Sequence, residues 1–201
     1  MNDEFAHRAA DWDSPERVRM TDAFVTEMLR HVTPLPRWKA MEIGTGTGLV
    51  GLQVARMVGQ MVFEDTSSAM LDVLKLKLAK GSPAEILLGE VTEYLSRDID
   101  LVFSCMSFHH IPNVEKTLQH LATITLPGAT VVVGDLLPED GSFHRFAPIP
   151  HRGFDPEVLS NQFRRAGFEV LSARSYNTLS RDQRFGEPIE YGQFMLVAKK
   201  Q

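Results

Sequence analysis

A glycine-rich loop is the feature of this sequence that most restricts its fold. Residues 42–48 read Glu-Ile-Gly-Thr-Gly-Thr-Gly and overlap a short apolar run, Lys39 to Ile43, that is typical of a buried strand. Apolar residues then recur at helical spacing from Leu49 to Val58, so the loop is expected to open a helix. Glycines allow a ligand to approach the backbone, and the N–H groups that begin a helix favour negative charge. The loop therefore predicts an α/β fold with a ligand site where the first strand ends.

The chain around this loop alternates helices and strands. A helix is predicted from Ser14, its cap, to the prolines at 34 and 36, and Ser67 or Ser68 is expected to cap another. Further strands are predicted at 61–64, 84–88, 99–104 and 130–134, and a further helix at 114–126, ended by Pro127-Gly128. Such alternation predicts a mostly parallel sheet with helices on both faces.

The last third of the chain has a different pattern. Residues 136–154 are rich in Pro, Gly and His, and a loop of that length in a compact domain is usually functional or mobile. Asp155-Pro156 then begins a helix that runs through Ala166, and strands follow at 168–175 and 191–199. Because no helix separates these two strands, they are expected to pair antiparallel as a terminal hairpin.

Composition excludes several classes of function. The formal net charge of −5 argues against a general nucleic-acid binder, which would carry a basic surface. The single cysteine, Cys105, cannot form an internal disulfide, so a reducing cytoplasm is expected. The first residues are acidic and polar, unlike a signal peptide, and no apolar run approaches the roughly 20 residues of a membrane span. We expect a cytoplasmic protein without nucleic-acid or membrane partners.

The glycines fit a dinucleotide site at first sight. Gly46, Gly48 and Gly51 satisfy the pattern Gly-x-Gly-x-x-Gly, and Asp65 lies nineteen residues after Gly46, where an acid would bind a ribose. A nicotinamide-dependent oxidoreductase is therefore one candidate function. A purely structural turn is another interpretation of the loop. It is disfavoured, because such a turn needs neither three alternating glycines nor an acid placed like Asp65.

The register of the loop favours a different ligand. The glycine that directly ends the strand is Gly44, and Leu49 then occupies the place of the third dinucleotide glycine. The carboxylate of Glu42 would repel a pyrophosphate but suits the ammonium group of an amino-acid ligand. Register and charge together favour a nucleoside ligand that carries an amino acid.

Five motifs extend this interpretation along the chain. They are Glu42-x-Gly44-x-Gly46-x-Gly48, the segment from Glu64 to Leu71, Gly89-Glu90-Val91, the segment from Asp100 to Pro112, and Leu126-Pro127-Gly128-Ala129. Together they resemble the motifs of the class I S-adenosylmethionine-dependent methyltransferases. The sequence departs from the family pattern at Glu90, where the family usually has Asp, and around Pro127, where a lysine and a second glycine are missing.

Further segments narrow the resemblance to a bacterial subgroup of small-molecule-type methyltransferases. They are Phe5-x-x-x-Ala9-x-x-Trp12-Asp13, the segments 135–144 and 151–155, and Ala166-Gly167-Phe168. The substrates of this subgroup are mostly unassigned. The resemblance implies one Rossmann-like domain, 1–201, with a seven-stranded sheet in the order 3-2-1-4-5-7-6 and strand 7 antiparallel. Residues 1–36 would form a helical lid, 37–135 the cofactor-binding core, and 136–201 the substrate loop and terminal hairpin.

The resemblance also implies S-adenosylmethionine as cofactor, with S-adenosylhomocysteine as product. Glu42 and the backbone near Gly44 and Ser104 would hold the methionine part, and Asp65 would bind both ribose hydroxyls. Adjacent side chains on a strand point oppositely, so Glu64 is expected to face away if Asp65 faces the ligand. Thr66 and Met70 would border the adenine, and Glu90 and Val91 would bind its polar edge. The remaining expected cofactor contacts are Thr45, Gly46, Gly48 and Cys105.

Candidates for the acceptor side follow the fourth and fifth strands, because open α/β sheets bind ligands at the carboxyl ends of strands. The candidate catalytic residues are His109, His110, Asp135, His144 and His151. One of the two adjacent histidines is expected to turn inward and fix the loop. Asp135, with His144 and His151, could form a general-base pair, a metal site or a network that anchors the loop. No tight ligand spacing appears, so no metal is predicted.

Two arginines, Arg145 and Arg152, flank the same loop and could bind an acidic substrate. Three functions remain open. The main prediction is a methyltransferase acting on a small-molecule oxygen, nitrogen or carbon by in-line displacement, as a monomer or homodimer. An NAD(P)-dependent oxidoreductase is disfavoured by the glycine register and by the lack of a Tyr-x-x-x-Lys motif. A non-catalytic S-adenosylmethionine-binding protein needs the same pocket, so the sequence does not separate it from the enzyme.

Overall fold

A computed structural model of the protein describes residues 6–182 and 187–201 and contains a seven-stranded sheet. The strands are β1 Lys39–Ile43, β2 Gln60–Asp65, β3 Ala84–Leu88, β4 Ile99–Cys105, β5 Thr125–Leu136, β6 Phe168–Arg181 and β7 Ile189–Lys200. They lie in the order β3-β2-β1-β4-β5-β7-β6, and β7 runs antiparallel to both of its neighbours. This confirms the predicted Rossmann-like fold. Phe5, which begins one of the motifs, lies outside the described residues.

The α-helices within the described ranges are α1 Pro15–His31, α2 Gly51–Val54, α3 Ser68–Lys77, α4 Val114–Ile124 and α5 Pro156–Arg165. Short 3-10 helices cover Ala6–Asp11, Val91–Glu93 and Phe108–His110. Polar side chains begin the longer helices as expected. The Ser14 hydroxyl accepts from the Arg17 N–H at 3.3 Å, and Ser67, rather than Ser68, caps α3 by accepting from the Met70 N–H at 3.2 Å.

The helix after the glycine loop is shorter than the predicted 49–58, because α2 covers only Gly51–Val54. The N–H groups of Gly59 and Gln60 both donate to the Trp38 carbonyl, at 2.9 and 3.2 Å. A Cβ on Gly59 would lie 2.4 Å from the Pro36 carbonyl oxygen. These contacts tie the chain after α2 to the segment before β1, so the helix must end early.

Helix α4 also ends before its predicted limit of Leu126. The N–H and the hydroxyl of Thr125 both donate to the Leu121 carbonyl, which ends the helix at Ile124. The chain continues directly into β5, so Pro127-Gly128 lies in the first part of that strand instead of stopping the helix.

The predicted terminal hairpin is present and longer than expected. Strand β6 continues beyond the predicted Ser175 to Arg181, and β7 pairs with it as far as Ile189. The register of this pairing shifts twice, at Val170/Ser172 and at Ser175/Asn177, as at a β-bulge, and pairing continues beyond each shift. The extension brings Arg181 to the edge of the sheet where the other strands end.

Apolar side chains build a core on each face of the sheet. On one face Phe63 and Phe103 pack with residues of α1, α2 and α3, and on the other Met41 and Val102 pack with residues of α4 and α5. The alternation of strand side chains between faces explains this double core. Among the residues that the structure describes, no helix combines the length and apolar character needed to cross a bilayer.

Candidate functional site

A cavity of about 1890 Å³ opens at the carboxyl ends of β1, β2 and β4. Parallel strands end at the same edge of a sheet, so the loops that follow them meet there. The walls include the glycine loop, residues 105–113 after β4, the loop 142–149, the segment from His7 to Thr21 and the end of β6. The cavity therefore brings together the segments predicted to bind the cofactor and those predicted to bind the methyl acceptor.

The glycine loop is held open by two acids at the end of β2. Glu64 accepts from the Gly44 N–H at 3.0 Å, and Asp65 accepts from the Gly46 N–H at 2.7 Å. Both acids line the cavity, so the expectation that only Asp65 would face it is wrong. The cause is local: the Thr45 N–H donates to the Glu64 carbonyl, which folds the loop over the end of β2 and within reach of both side chains.

Positive backbone φ angles are part of the shape of this loop. Gly44, Gly46 and Gly48 have φ values of 66°, 53° and 85°, which favour glycine. A Cβ on Gly44 would lie 2.4 Å from the Cβ of Ser107, so the loop also packs tightly against the turn after β4. Gly48 faces Leu74 and does not line the cavity.

Glu42, Glu64, Asp65 and Glu90 define the acidic half of the cavity. Glu42 is buried, where it accepts from the Thr45 hydroxyl and the Gly51 N–H. Burial, reinforced by the neighbouring Asp65 and Glu64 charges, raises the pKa of Glu42 to about 8. Burial, together with Asp65, likewise raises the pKa of Glu64 to about 8. A cationic ligand would stabilise the ionised form of these buried acids, so the acidic half favours such a ligand.

Most of the other predicted cofactor contacts lie around this half. Both oxygens of Asp65 have backbone donors, because Oδ1 also accepts from the Ser67 N–H at 2.8 Å. The remaining predicted residues that line the cavity are Thr45, Thr66, Met70, Val91 and Cys105. Burial raises the pKa of the Cys105 thiol well above its usual value, which keeps the thiol neutral. Ser104 is not in the lining, and its hydroxyl donates to the Ile43 carbonyl at 3.1 Å.

A buried chain of polar groups connects β5 to the cavity. Asp135, which is 0% exposed, accepts from the N–H of Leu136 at 2.7 Å and from the N–H of His109 at 3.1 Å. Its Oδ1 also lies 2.6 Å from Nδ1 of His109, which assigns the proton to that nitrogen. Nε2 of His109 therefore accepts from Nε2 of His144, 3.0 Å away. His109 is the histidine that turns inward, as predicted of one of the pair, and its partner is a carboxylate.

The histidine cluster consists of His109, His110 and His144. Burial, followed by the charges of the neighbouring histidines, lowers the pKa of His110 to about 3. Burial, then His109 and Arg181, lowers the pKa of His144 to about 4. Both rings are therefore neutral near pH 7.

The cluster is also the candidate metal centre among the described residues. One nitrogen from each ring lies within 4.8 Å of the others. The positive charges of Arg8 and Arg181 depress the pKa values of His110 and His144, and they would oppose a bound cation in the same way. The rings of His109 and His144 are hydrogen-bonded to each other, and His109 is also bonded to Asp135. Asp135 itself accepts three hydrogen bonds.

His151 lies apart from the other four catalytic candidates. Its Nε2 donates to the Ile111 carbonyl at 3.0 Å, and its N–H donates to the His109 carbonyl at 3.2 Å. The ring packs against Phe154 with centroids 5.1 Å apart. These contacts fix the loop after β5 to the turn after β4, which matches the anchoring alternative and gives His151 no place in the cavity lining.

The basic side chains in the cavity lining are Arg8, Arg17, Arg19, Lys116, Arg145 and Arg181. Four of these, Arg8, Arg17, Arg145 and Arg181, interact electrostatically and define the basic half of the cavity. Of the two arginines considered from the sequence, Arg145 lines the cavity, whereas Arg152 donates to the Asp140 carbonyl outside it. The other three were missed. Only the tertiary fold brings the N-terminal segment and the end of β6 together, so no local pattern could have found them.

The N-terminal segment is fastened to the glycine loop. The Thr47 hydroxyl donates to Asp13, and Lys77 bonds both Asp13 and the Thr47 carbonyl. Trp12 lines the cavity near Gly46. The segment therefore forms one wall of the site, while its opening and closing as a lid stays a prediction.

Comparisons with known proteins agree with this architecture. Residues 41–133, a little under half of the chain, match the family model described as a methyltransferase domain. An uncharacterized methyltransferase of Schizosaccharomyces pombe is 25% identical over 160 residues, which cover 68% of this chain and 56% of that protein. The chain spans between 26% and 58% of the length of the curated relatives it matches.

Two solved structures share the whole fold. One is a putative methyltransferase of Haloferax volcanii in complex with its activator Trm112, with a TM-score of 0.79, 19% identity, and coverage of 99% of this chain and 98% of that one. The other is a SAM-dependent methyltransferase of Aquifex aeolicus, with a TM-score of 0.74, 19% identity and coverage of 98% of both chains. At these identities the likeness concerns the fold.

The domain match over residues 41–133, the curated relative and the shared fold all support the predicted resemblance to the class I S-adenosylmethionine-dependent methyltransferases. S-adenosylmethionine is the cofactor of this class. The nicotinamide-dependent alternative is therefore set aside.

Proposed function

We propose that the protein transfers the methyl group of S-adenosylmethionine to an ionisable oxygen or nitrogen of a small-molecule acceptor. The observation that carries this proposal is that one cavity joins the acidic half, beside the glycine loop, to the Asp135–His109–His144 chain. When bound, S-adenosylmethionine supplies an electrophilic methyl group on a sulfonium, which a nucleophile displaces in line.

The acidic half fits the positive charges of this cofactor. Glu42 and Glu64, whose pKa values are raised by burial, would ionise in the presence of the ammonium and sulfonium groups. Asp65 lines the cavity and accepts from the N–H groups of Gly46 and Ser67, and its carboxylate would also accept from the ribose hydroxyls. Thr66, Met70 and Val91 lie on the same side and would surround the adenine.

The polar chain would take the acceptor's proton. Because Nε2 of His144 donates to His109, Nδ1 is the nitrogen of His144 that is left to accept. Passing the Nε2 proton onward gives an imidazolium at His109, 2.6 Å from the Asp135 carboxylate. The charge is then stabilised by a buried partner, and this arrangement supports general-base catalysis. His110, beside His109 with ring centroids 4.3 Å apart, would shape the acceptor pocket.

Titration calorimetry tests the cofactor half of the proposal. S-adenosylmethionine and S-adenosylhomocysteine should bind the wild-type protein, and NADH should not. Asp65→Asn should weaken binding by about tenfold or more, since a charge-assisted hydrogen bond is lost. The matched control is Asp72→Asn, which removes an exposed acid from α3. Tight NADH binding without a response to either adenosyl ligand would overturn the proposal.

A methyl-release assay over a metabolite panel separates an enzyme from a binding protein. Turnover should occur in the wild-type protein with acceptors that carry a hydroxyl or amine. Cofactor binding without methyl release for any acceptor would instead support the non-catalytic alternative.

A further inference from the structure

Two guanidinium groups of the basic half have no carboxylate within ion-pair distance in the part of the chain that the structure describes. Among residues 6–182 and 187–201, the ion pairs within 4.0 Å include neither Arg17 nor Arg181. Burial, together with the charges of Arg8 and Arg181, lowers the pKa of Arg17. Burial also lowers the pKa of Arg181, and Arg145 and Arg8 act in the same direction. The four cations therefore repel one another within one half of a single cavity.

Each of these two side chains is positioned by an aromatic ring and a backbone carbonyl. The guanidinium of Arg17 lies 3.9 Å from the centre of the Trp12 ring and donates to the Trp12 carbonyl at 3.1 Å. The guanidinium of Arg181 lies 3.9 Å from the centre of the Phe143 ring and donates to the Phe143 carbonyl. Stacking and one hydrogen bond hold each planar group and leave its other N–H donors for a ligand.

Two acids, Glu16 and Asp182, line this region, and among the described residues the ion pairs within 4.0 Å include neither of them. Glu16 is close enough to raise the pKa of both arginines, but it forms an ion pair with neither. The cofactor of the proposed reaction brings one carboxylate together with two positive groups. One arginine could pair with that carboxylate, and the others would still face the cavity without an anion. The four arginines of this half therefore outnumber the sum of Glu16, Asp182 and the single carboxylate of the cofactor.

The basic half adjoins the groups proposed to take the acceptor's proton. Arg181 stacks on Phe143, and Phe143 contacts His144 edge to face with centroids 5.0 Å apart. Arg181 and Arg8 also act electrostatically on His144 and His110, respectively. An anionic group held by Arg181 would therefore lie one side chain away from the proton acceptor.

We infer that the methyl acceptor is an acidic small molecule whose carboxylate or phosphate is bound by Arg17 and Arg181, with its nucleophilic hydroxyl or amine directed to His144. This inference rests on the proposed function and adds the substrate class. A bidentate guanidinium–oxyanion pair provides both orientation and affinity, so a neutral analogue of the acceptor would bind poorly.

Calorimetry on the protein saturated with S-adenosylhomocysteine tests the inference with three probes of one shape. Benzoate and phenyl phosphate carry the two candidate anions, and benzamide is neutral. We expect at least one of the two anions to bind about tenfold or more tightly than benzamide, since a hydrogen bond to a charged group is stronger than one between neutral groups. The better of the two identifies the anion. Equal binding of benzamide and both anions would overturn the inference.

The variants Arg181→Gln and Arg181→Lys locate the effect. Arg181→Gln should lose about tenfold in anion affinity, with S-adenosylhomocysteine affinity unchanged, and Arg181→Lys should retain part of it because the charge remains. Arg56→Gln, an exposed arginine outside the cavity, is the matched control and should behave as wild type. If Arg181→Gln does not fold, Arg181→Lys with Arg17→Gln provides the test. Anion binding unaffected by these changes would overturn the inference, whereas failure of S-adenosylhomocysteine to bind would contradict the proposed function instead.

Discussion

Replacing Glu64 by Gln should stabilise the ligand-free protein in alkaline solution. The carboxyl group of Glu64 is buried, and its pKa is raised from 4.5 to about 8. Below pH 4.5 both the folded and the unfolded protein hold its proton. As the pH rises toward 8, the unfolded chain releases that proton while the folded protein retains it, so the free energy of unfolding falls. Above about pH 8 the loss is complete. Glu64→Gln removes this titration and keeps an oxygen that can accept from the Gly44 N–H.

The size of the effect follows from the shift. One pH unit corresponds to 1.36 kcal/mol, so three units between pH 5 and 8 give an upper limit of roughly 4 kcal/mol. Glu42 also titrates here, and its pKa should fall once the neighbouring charge is gone, which enlarges the difference between the variant and the wild type. We expect the wild-type protein to lose about 2 kcal/mol or more relative to Glu64→Gln over this range.

Urea denaturation followed by circular dichroism at pH 5 and pH 8 measures this difference. Histidines titrate in both proteins, so their contribution cancels in the comparison. The control Glu115→Gln removes an exposed acid from α4 and should follow the wild-type profile. Parallel pH profiles for the wild type, Glu64→Gln and Glu115→Gln would refute the reasoning that burial holds Glu64 protonated.

Three further predictions concern cofactor binding and turnover. S-adenosylhomocysteine binding near pH 7 should release protons, because the ammonium of the ligand favours the ionised form of Glu42. Calorimetry in buffers of different ionisation enthalpy should show this proton release. The variant Glu42→Gln should release fewer protons. Asp135→Asn should lower kcat by about 10²–10⁴-fold, because Asp135 orients His109 and would stabilise its imidazolium form. The affinity for S-adenosylhomocysteine should change little, because Asp135 lies outside the cavity lining. Gly44→Ala should abolish cofactor binding and cost about 1–3 kcal/mol in the free energy of unfolding, because φ is 66° and the new Cβ would meet Ser107; normal binding by this variant would be contrary evidence.

The parts of the fold that local patterns control were predictable from the sequence. Apolar runs located the strands, and Ser14 and Asp155 marked the starts of α1 and α5. The limits of α2 and α4 were not predictable from local patterns. The chain after α2 is bonded to Trp38, which lies in a different part of the sequence. Helix α4 ends where the chain passes directly into β5. The glycine register indicated the ligand class correctly, since it depends only on where β1 ends.

The candidate site was predictable in its acidic half and much less so in its basic half. Asp65 ends β2 nineteen residues after Gly46, so spacing together with the family resemblance predicted that it lies beside the glycine loop. Glu64 was expected to face away because strand alternation was applied at a strand end, where the loop folds back over both acids. Arg17 lies in α1 and Arg181 lies at the end of β6, so only the tertiary fold brings them to one cavity.

The proposed reaction moves a methyl group from S-adenosylmethionine to an acceptor within this cavity, with the help of the Asp135–His109–His144 chain. The most direct measurement uses S-adenosylmethionine labelled on the methyl group, with a panel of small hydroxy acids and amino acids and their neutral amides. We expect label to appear in an acidic acceptor with the wild-type protein and to fall by about 10²-fold or more with Asp135→Asn. Label that appears equally with both proteins would contradict the role of the chain. Bound cofactor with no labelled product from any acceptor would contradict the proposed reaction itself.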